Sequence, residues 1–292
     1  GEADAAPASG GSNSICDGRL TLESGVPVST TDQTAKTTVY FTPFKGNKIA
    51  LYDGSSVWDV VEFSQISVAV PATTSTPFDV FCYNNAGTAT LETVNWTSDT
   101  TRATAITYQN GVLVKSGATT RRYLGTGRTT GTSGNCEMKM SGGTSAAQKI
   151  LLWNYYNRVA FPILVTETTN TWAYTTAAWR QWNASASNQF EFVTGVAEDC
   201  VNMTVWGHMY TTSGALVAYF NLGLDRTNAK DSQVNTLLTN DTANVTRLGA
   251  GIFNGRVTVG YHYLALIEYG RANGVVIGDE GGTNIQSGAF GT

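Results

Sequence analysis

The chain has 292 residues, of which 41% are hydrophobic and only 14% charged, with a formal net charge of −4. That length suits two small domains, or one domain with a long arm, and the apolar fraction suffices for a core. The best basic cluster is Arg121-Arg122 followed by Arg128, too sparse for phosphate neutralisation, so no nucleic-acid partner is expected. No apolar run approaches the about 18 residues of a membrane span, so no membrane partner is expected either.

The opening, GEADAAPASGGSNSI, has linker composition and lacks the basic and apolar regions of a signal peptide. Residues 1–17 are expected to form an extended N-terminal arm that lies on a neighbouring subunit, with Ile15 and Cys16 among its contacts. From there strand signals recur at the spacing of an all-β fold. They fall at Arg19–Leu22, Thr37–Thr42, Lys48–Tyr52 and Val57–Phe63, then at Phe78–Tyr83, Thr88–Val94, Val112–Lys115 and Arg121–Gly125. Strict alternation in Thr37–Phe63, broken at Lys45-Gly46-Asn47 and Asp53-Gly54, predicts a three-stranded meander. Asn84-Asn85-Ala86-Gly87 and Asn110-Gly111 predict two further hairpins. Segment Ser64–Val70 reads as strand or helical turn, and Thr97–Tyr108 has room for a short helix. The Gly/Ser/Thr-rich stretch 127–148 reads as a linker or loop between domain 1 (18–126) and domain 2 (149–292). Beyond it Pro162 marks an edge strand, and Phe190–Val196, Met203–Tyr210, Leu216–Leu224 and Arg256–Tyr269 alternate well. The expected fold is all-β, two β-sandwich or jelly-roll-like units behind the arm.

Chemistry is sparse. There are two histidines, His208 and His262, each in a strand-like apolar or aromatic setting that suits packing better than general-base work. The carboxylate candidates for glycan hydrolysis are Glu198-Asp199, Asp279-Glu280, Asp225 and Glu268, but adjacent acids on a strand face opposite ways. Asp225–Asp231 is a weak calcium-loop pattern because it contains two cations. Cys16, Cys82, Cys136 and Cys200 lack metal-site spacing and read as small, mostly buried free thiols. No catalytic residue, metal site or cofactor is expected. Trp153, Tyr155, Trp172, Trp179 and Trp182 are crowded together; such aromatics serve a core, a protein interface or a sugar platform.

Several long motifs resemble a family of tailed-bacteriophage virion or tail-region proteins. They are Cys16-Asp17-Gly18-Arg19-Leu20-Thr21-Leu22 with Ser24–Val28, Tyr40–Pro43 leading into Gly46–Gly54, Lys115–Thr126, Trp153–Arg158, Trp172–Trp179 and Tyr261–Leu264. The resemblance covers most of residues 16 to 270. It implies a non-enzymatic structural protein on the exterior of a phage particle, a capsid decoration or a tail or head fibre component, located in the virion. It carries over no catalytic residue. The expected partners are copies of the chain itself, as a trimer by preference, other virion proteins and, in a receptor-binding alternative, host surface glycan. A glycan-degrading enzyme is the remaining alternative.

Overall fold

A computed structural model describes residues 13–140, 147–212, 216–231, 234–235, 237–240, 245–270, 274–277 and 287–291. Among the described residues the regular structure is strand throughout except for a short 3-10 turn at Trp182–Ala184. The expected all-β, sandwich-like fold is what the chain adopts. Most of the arm, residues 1–12, lies outside the described residues.

The contacts divide the chain into two compact units, and the division is not sequential. One unit takes Gly1–Ser29, Gln33–Cys136 and Leu152–Arg158, and the other takes Thr30–Asp32, Glu137–Leu151 and Val159–Thr292. The expected linker at 127–148 is therefore corrected. Thr129 and Cys136 are fully buried, Cys136–Lys139 is a strand, and Arg128 ends the long strand Ala118–Arg128. Gly127 serves inside a ladder, and residues 129–135 do form a loop, but one whose backbone is bonded back to Thr73, Ser75 and Thr76 within the first unit. Residues 141–146 of that stretch lie outside the described residues. The segment Leu152–Asn154 also belongs to the first unit, where it pairs with Gly125–Gly127.

In the first unit, Thr38–Pro43 lies between Gly18–Thr21 and Ile66–Ala69 in a three-stranded antiparallel sheet. Lys48–Tyr52 and Trp58–Glu62 form a separate hairpin. The expected three-stranded meander is thus two pairings, not one. The reason is Asp17. Its carbonyl accepts the Phe44 and Lys45 amides, its own amide donates to Lys48 O, and its carboxylate accepts the Lys48 amide. The chain wraps around Asp17 at Lys45-Gly46-Asn47 where a hairpin would have turned. A Cβ on Gly46 would stand 2.5 Å from the Asp17 carboxylate, so the position requires glycine. The other turn at Asp53 behaves as expected: its carboxylate caps the amides of Ser55, Ser56 and Val57, and Gly54 adopts φ +92°.

A larger sheet runs Ile106–Gln109, Val112–Lys115, Ala118–Arg128, Pro77–Asn85, Thr88–Ser98 and Thr101–Arg102 in spatial order. Ala86-Gly87 and Asn110-Gly111 make its two-residue hairpin turns, all four with positive φ. The short helix expected in Thr97–Tyr108 is absent: the stretch holds two strands instead, in keeping with its threonines, which favour strands.

The second unit is a sandwich. One sheet contains Gln148–Ile150, Gln189–Thr194, Gly260–Tyr269, Leu216–Leu224 and Leu237–Asn240 in that order, with Trp179–Gln181 also paired to Gly260–Tyr269. The other contains Ile163–Thr166, Gly288–Gly291, Cys200–Thr211, Arg247–Arg256 and Val234–Asn235, with Gly274–Ile277 on the remaining length of Cys200–Thr211 and Thr171–Ala173 beyond it. Pro162 precedes the edge strand Ile163–Thr166. Between the sheets lies one apolar core, including Phe190, Phe192, Phe220, Leu264 and Leu266 from the first and Met203, Val205 and Phe253 from the second. Gly207 in the middle of this core has no room for a side chain, since a Cβ would come 2.7 Å from the Phe220 ring.

Candidate functional site

Among the described residues, the histidine that has an acid partner is engaged on both sides. His262, 3% exposed, is held between the Asp225 carboxylate at 2.8 Å and the Thr258 carbonyl at 2.8 Å, so both ring nitrogens face acceptors. That is a histidine–acid pair, but its imidazole has no free nitrogen to present to a substrate. His208 is partly buried, which lowers its pKa, and its nearest hydroxyl, Ser287 Oγ, lies 3.5 Å away on a residue with no exposure. Glu198 and Asp199 lie in the link between Gln189–Thr194 and Cys200–Thr211. Asp279 and Glu280 lie outside the described residues. The weak calcium pattern is also spent on structure: Asp231 accepts the Leu224 amide and pairs with Arg226, while Asp225 holds His262 and the Tyr263 amide.

Two buried carboxylates have partners the sequence did not reveal. Glu268, with no exposure, accepts from Trp172 Nε1 at 2.8 Å, Arg180 Nε at 2.7 Å and the Asn183 amide at 3.2 Å. Burial raises its pKa despite those donors. Arg180 in turn stacks on Tyr174, 3.8 Å from the ring centroid. In the first unit Asp79 accepts two hydrogen bonds from Arg102 and one from the Thr126 hydroxyl, and burial again pushes its pKa up. Each is a buried carboxylate paired with an arginine.

The singled-out aromatics separate by environment. Trp182 is fully buried and Trp172 is 8% exposed, both packed in the sandwich core. They cannot stack on a sugar. Trp153 is also buried, within a ring cluster containing Tyr123 and Tyr155, and Arg158 covers it at 5.2 Å. Tyr155 is half-buried in that cluster, and Trp179 is half-buried beside Tyr269 and Tyr219. The last three lie in register on neighbouring strands, with ring centroids 5.4 to 6.0 Å apart. Tyr219 and Tyr269 were not among the residues singled out from sequence.

Ile15 and Cys16 do make contacts, but with their own chain. Ile15 O accepts from the Ala50 amide and from Arg122, and Cys16 bridges to Ile49. Arg122, 1% exposed, donates through Nη1 to the carbonyls of Asn13, Ile15 and Ala50 and through Nε to the Tyr156 hydroxyl. Burial pushes the Cys16 and Cys82 thiols up to about 12, which keeps them protonated and inert. All four cysteines are free, three buried and Cys200 exposed.

What the described surface does offer is an apolar sheet face. Leu164, Leu248, Ile252 and Phe290 are 36 to 55% exposed and all belong to the second sheet of the sandwich. Their core-facing neighbours Ile163, Val165, Phe253 and Ala289 are buried, so alternation turns these four outward. Register sets Leu164 beside Phe290, Phe290 beside Thr204 and Thr204 beside Ile252, a row across four strands. The sequence signal was available in Ile163-Leu164-Val165 and Ile252-Phe253. Apolar residues at both parities of a strand mean that both faces are apolar.

The fold and this surface define an all-β protein of sandwich type with an outward-facing apolar sheet face. No family model matches the chain, and no curated protein matches it. Among solved structures it is similar to a Cry1Da tryptic core variant of Bacillus thuringiensis, at 6% identity and a TM-score of 0.23, over 88% of this chain and 48% of that one. It is likewise similar to the insecticidal delta-endotoxin Cry8Ea1 of Bacillus thuringiensis, at 6% identity and a TM-score of 0.24, over 94% of this chain and 51% of that one. The chain spans about half the length of each, and likeness at this level carries no functional argument.

Proposed function

We propose that the chain is a non-enzymatic structural protein on the exterior of a tailed bacteriophage particle, a capsid decoration or a fibre or tail component, that works by binding other protein subunits. The observation that carries the reading is the exposed apolar row Leu164–Phe290–Thr204–Ile252 on an otherwise well-packed unit. Exposed apolar faces of this kind mark protein contacts. The motif resemblance in Cys16–Thr126 and Trp153–Leu264 supplies the virion context. The engaged nitrogens of His262 support the absence of enzymatic activity. Peptide mass analysis of purified particles, with antibody labelling of intact ones, tests the location. Absence of the chain from purified particles overturns the proposal.

A receptor-binding reading rests on one observation, the half-buried Trp179–Tyr269–Tyr219 group. Binding to a host polysaccharide that is lost in Trp179→Ala, with folding intact, would favour it. Absence of binding to any host polysaccharide removes it.

A further inference from the structure

The two outward faces of the sandwich differ in a way that bears on what covers each. The face of the first sheet mixes charges and amides with half-buried rings: Lys149 pairs with Glu191, Gln181 and Gln189 are hydrogen-bonded side by side, and Trp179, Tyr219 and Tyr269 stand in register with them. The outward face of the second sheet is different. Along Cys200–Thr211 the alternate positions are Asn202, Thr204, Trp206, His208 and Tyr210, and along Arg247–Arg256 they are Leu248, Ala250, Ile252, Asn254 and Arg256. Adjoining strands add Leu164 and Phe290, the latter touching the Trp206 ring at 5.2 Å. Among the described residues the only permanent charge on this face is Arg256, at the very end of its strand. Of the seven large hydrophobic side chains that are exposed in the described chain, four are here.

The geometry points to a second copy of this chain seated face to face on that sheet; this rests on the structural, non-enzymatic reading above and assigns the surface through which the subunits associate. Three features select that occupant. First, the described residues of this face include no carboxylate and one terminal arginine, which gives a charged partner little to recognise by complementarity. Second, its rings, Trp206, Tyr210 and Phe290, are interleaved with Leu164, Leu248 and Ile252, the mixed aromatic and aliphatic composition of a protein contact. Third, its size is right. Four columns of strand about 4.8 Å apart and about 34 Å long enclose roughly 650 Å², within the range of about 600 to 1,000 Å² that each partner buries in a stable interface. The pattern also fits itself. A two-fold axis along Cys200–Thr211 would return that strand onto its own copy and set Ile252 of one subunit on Phe290 of the other, an isologous contact between sheets packed about 10 Å apart.

Sedimentation velocity of the full chain over a wide concentration range, with Ile252→Lys and Leu248→Glu as separate variants, tests the inference. Both positions are exposed, so the variants keep their fold, checked by melting temperature; Gln189→Lys on the other sheet is the control for added charge. The expected result is a wild-type oligomer that the control leaves unchanged and that each face variant weakens by at least about 100-fold. As an independent readout, Ile252→Cys with Phe290→Cys in a mixed sample is expected to yield an intersubunit disulfide with a mild oxidant such as diamide. A wild-type chain that stays monomeric, or an oligomer that both face variants leave intact, overturns the inference. A monomeric chain found in purified particles would sink this surface and leave the virion reading standing. An oligomer of a chain absent from particles would do the reverse.

Discussion

Replacing Arg122 by methionine removes the most heavily used buried cation in the first unit. The guanidinium is 1% exposed and makes four hydrogen bonds, three to backbone carbonyls and one to the Tyr156 hydroxyl, while its Nη2 has no partner. Its face also lies 4.6 Å from the Tyr156 ring centroid. Hydrogen bonds from a charged donor are each worth about 1.5 to 3 kcal/mol. Burying an unpaired guanidinium costs several kcal/mol in return. Methionine recovers that cost but leaves the carbonyls of Asn13, Ile15 and Ala50 without their donor. The net loss should be about 3 to 5 kcal/mol, the range for breaking a buried charged network. Because the chain has two units, one global melt does not report this loss cleanly. Native-state hydrogen exchange does. The Ala50 amide, bonded to Ile15 O, and the Asp17 amide, bonded to Lys48 O, report directly on the clamped segment. Their protection should fall by about 150- to 5,000-fold, at 1.36 kcal/mol per decade. Arg122→Lys should fall between, since an ammonium keeps the charge but cannot span the three carbonyls and the phenol together. Protection within a factor of about three of wild type in Arg122→Met would refute the reasoning.

Gly207→Val should unfold the sandwich or cost more than about 3 kcal/mol in chemical denaturation, because the new side chain must occupy the space of the Phe220 ring; a wild-type midpoint would contradict the packing described. Gly46→Ala should loosen the turn around Asp17 by about 1 to 3 kcal/mol, read from exchange at the Lys48 amide, and unchanged exchange there would show that the turn tolerates a Cβ. Burial raises the Glu167 pKa, but hydrogen bonds from Asn188 Nδ2 at 2.6 Å and the Thr169 amide at 2.8 Å outweigh it, and the net shift is downward. A depressed folded pKa stabilises above the unfolded value of about 4.5 and loses that contribution as pH falls through the folded value. Denaturant midpoints measured from pH 6 to pH 3 should therefore fall less steeply in Glu167→Gln than in wild type, and parallel curves would exclude the linkage.

Much of the fold was legible in the residues. Lys48–Tyr52, Val112–Lys115 and Leu216–Leu224 stand where alternation placed them, and Ala86-Gly87 and Asn110-Gly111 turn where short-range chemistry requires positive φ. These are local signals, set by a period of two and by a few backbone torsions. Pairing partners are not local. Nothing within Thr37–Phe63 reveals that Asp17 intercepts the chain at Lys45, so the meander was expected where two separate pairings stand. Sparse charge and the crowding of Trp and Tyr were visible from the start, but a tryptophan's use depends on what packs against it from far along the chain. Trp182 meets Phe220 and is lost to the core, while Trp179, three residues away, meets Tyr269 and Tyr219 and stays at the surface.

By itself, the sequence determined that this protein is made of strands, that its turns fall at specific glycines and asparagines, and that it carries few groups able to do chemistry. Only the tertiary structure decided that both ring nitrogens of His262 are occupied, that Arg122 clamps the segment from Asn13 to Cys16, and that Leu164, Phe290, Ile252 and Leu248 share one outward face. The physical reason is the same in each case. Alternation fixes which side of its own strand a residue occupies, but whether that side meets core, charge or solvent is set by strands far along the chain, as in the pairing of Ile163 with Gly291, 128 positions away.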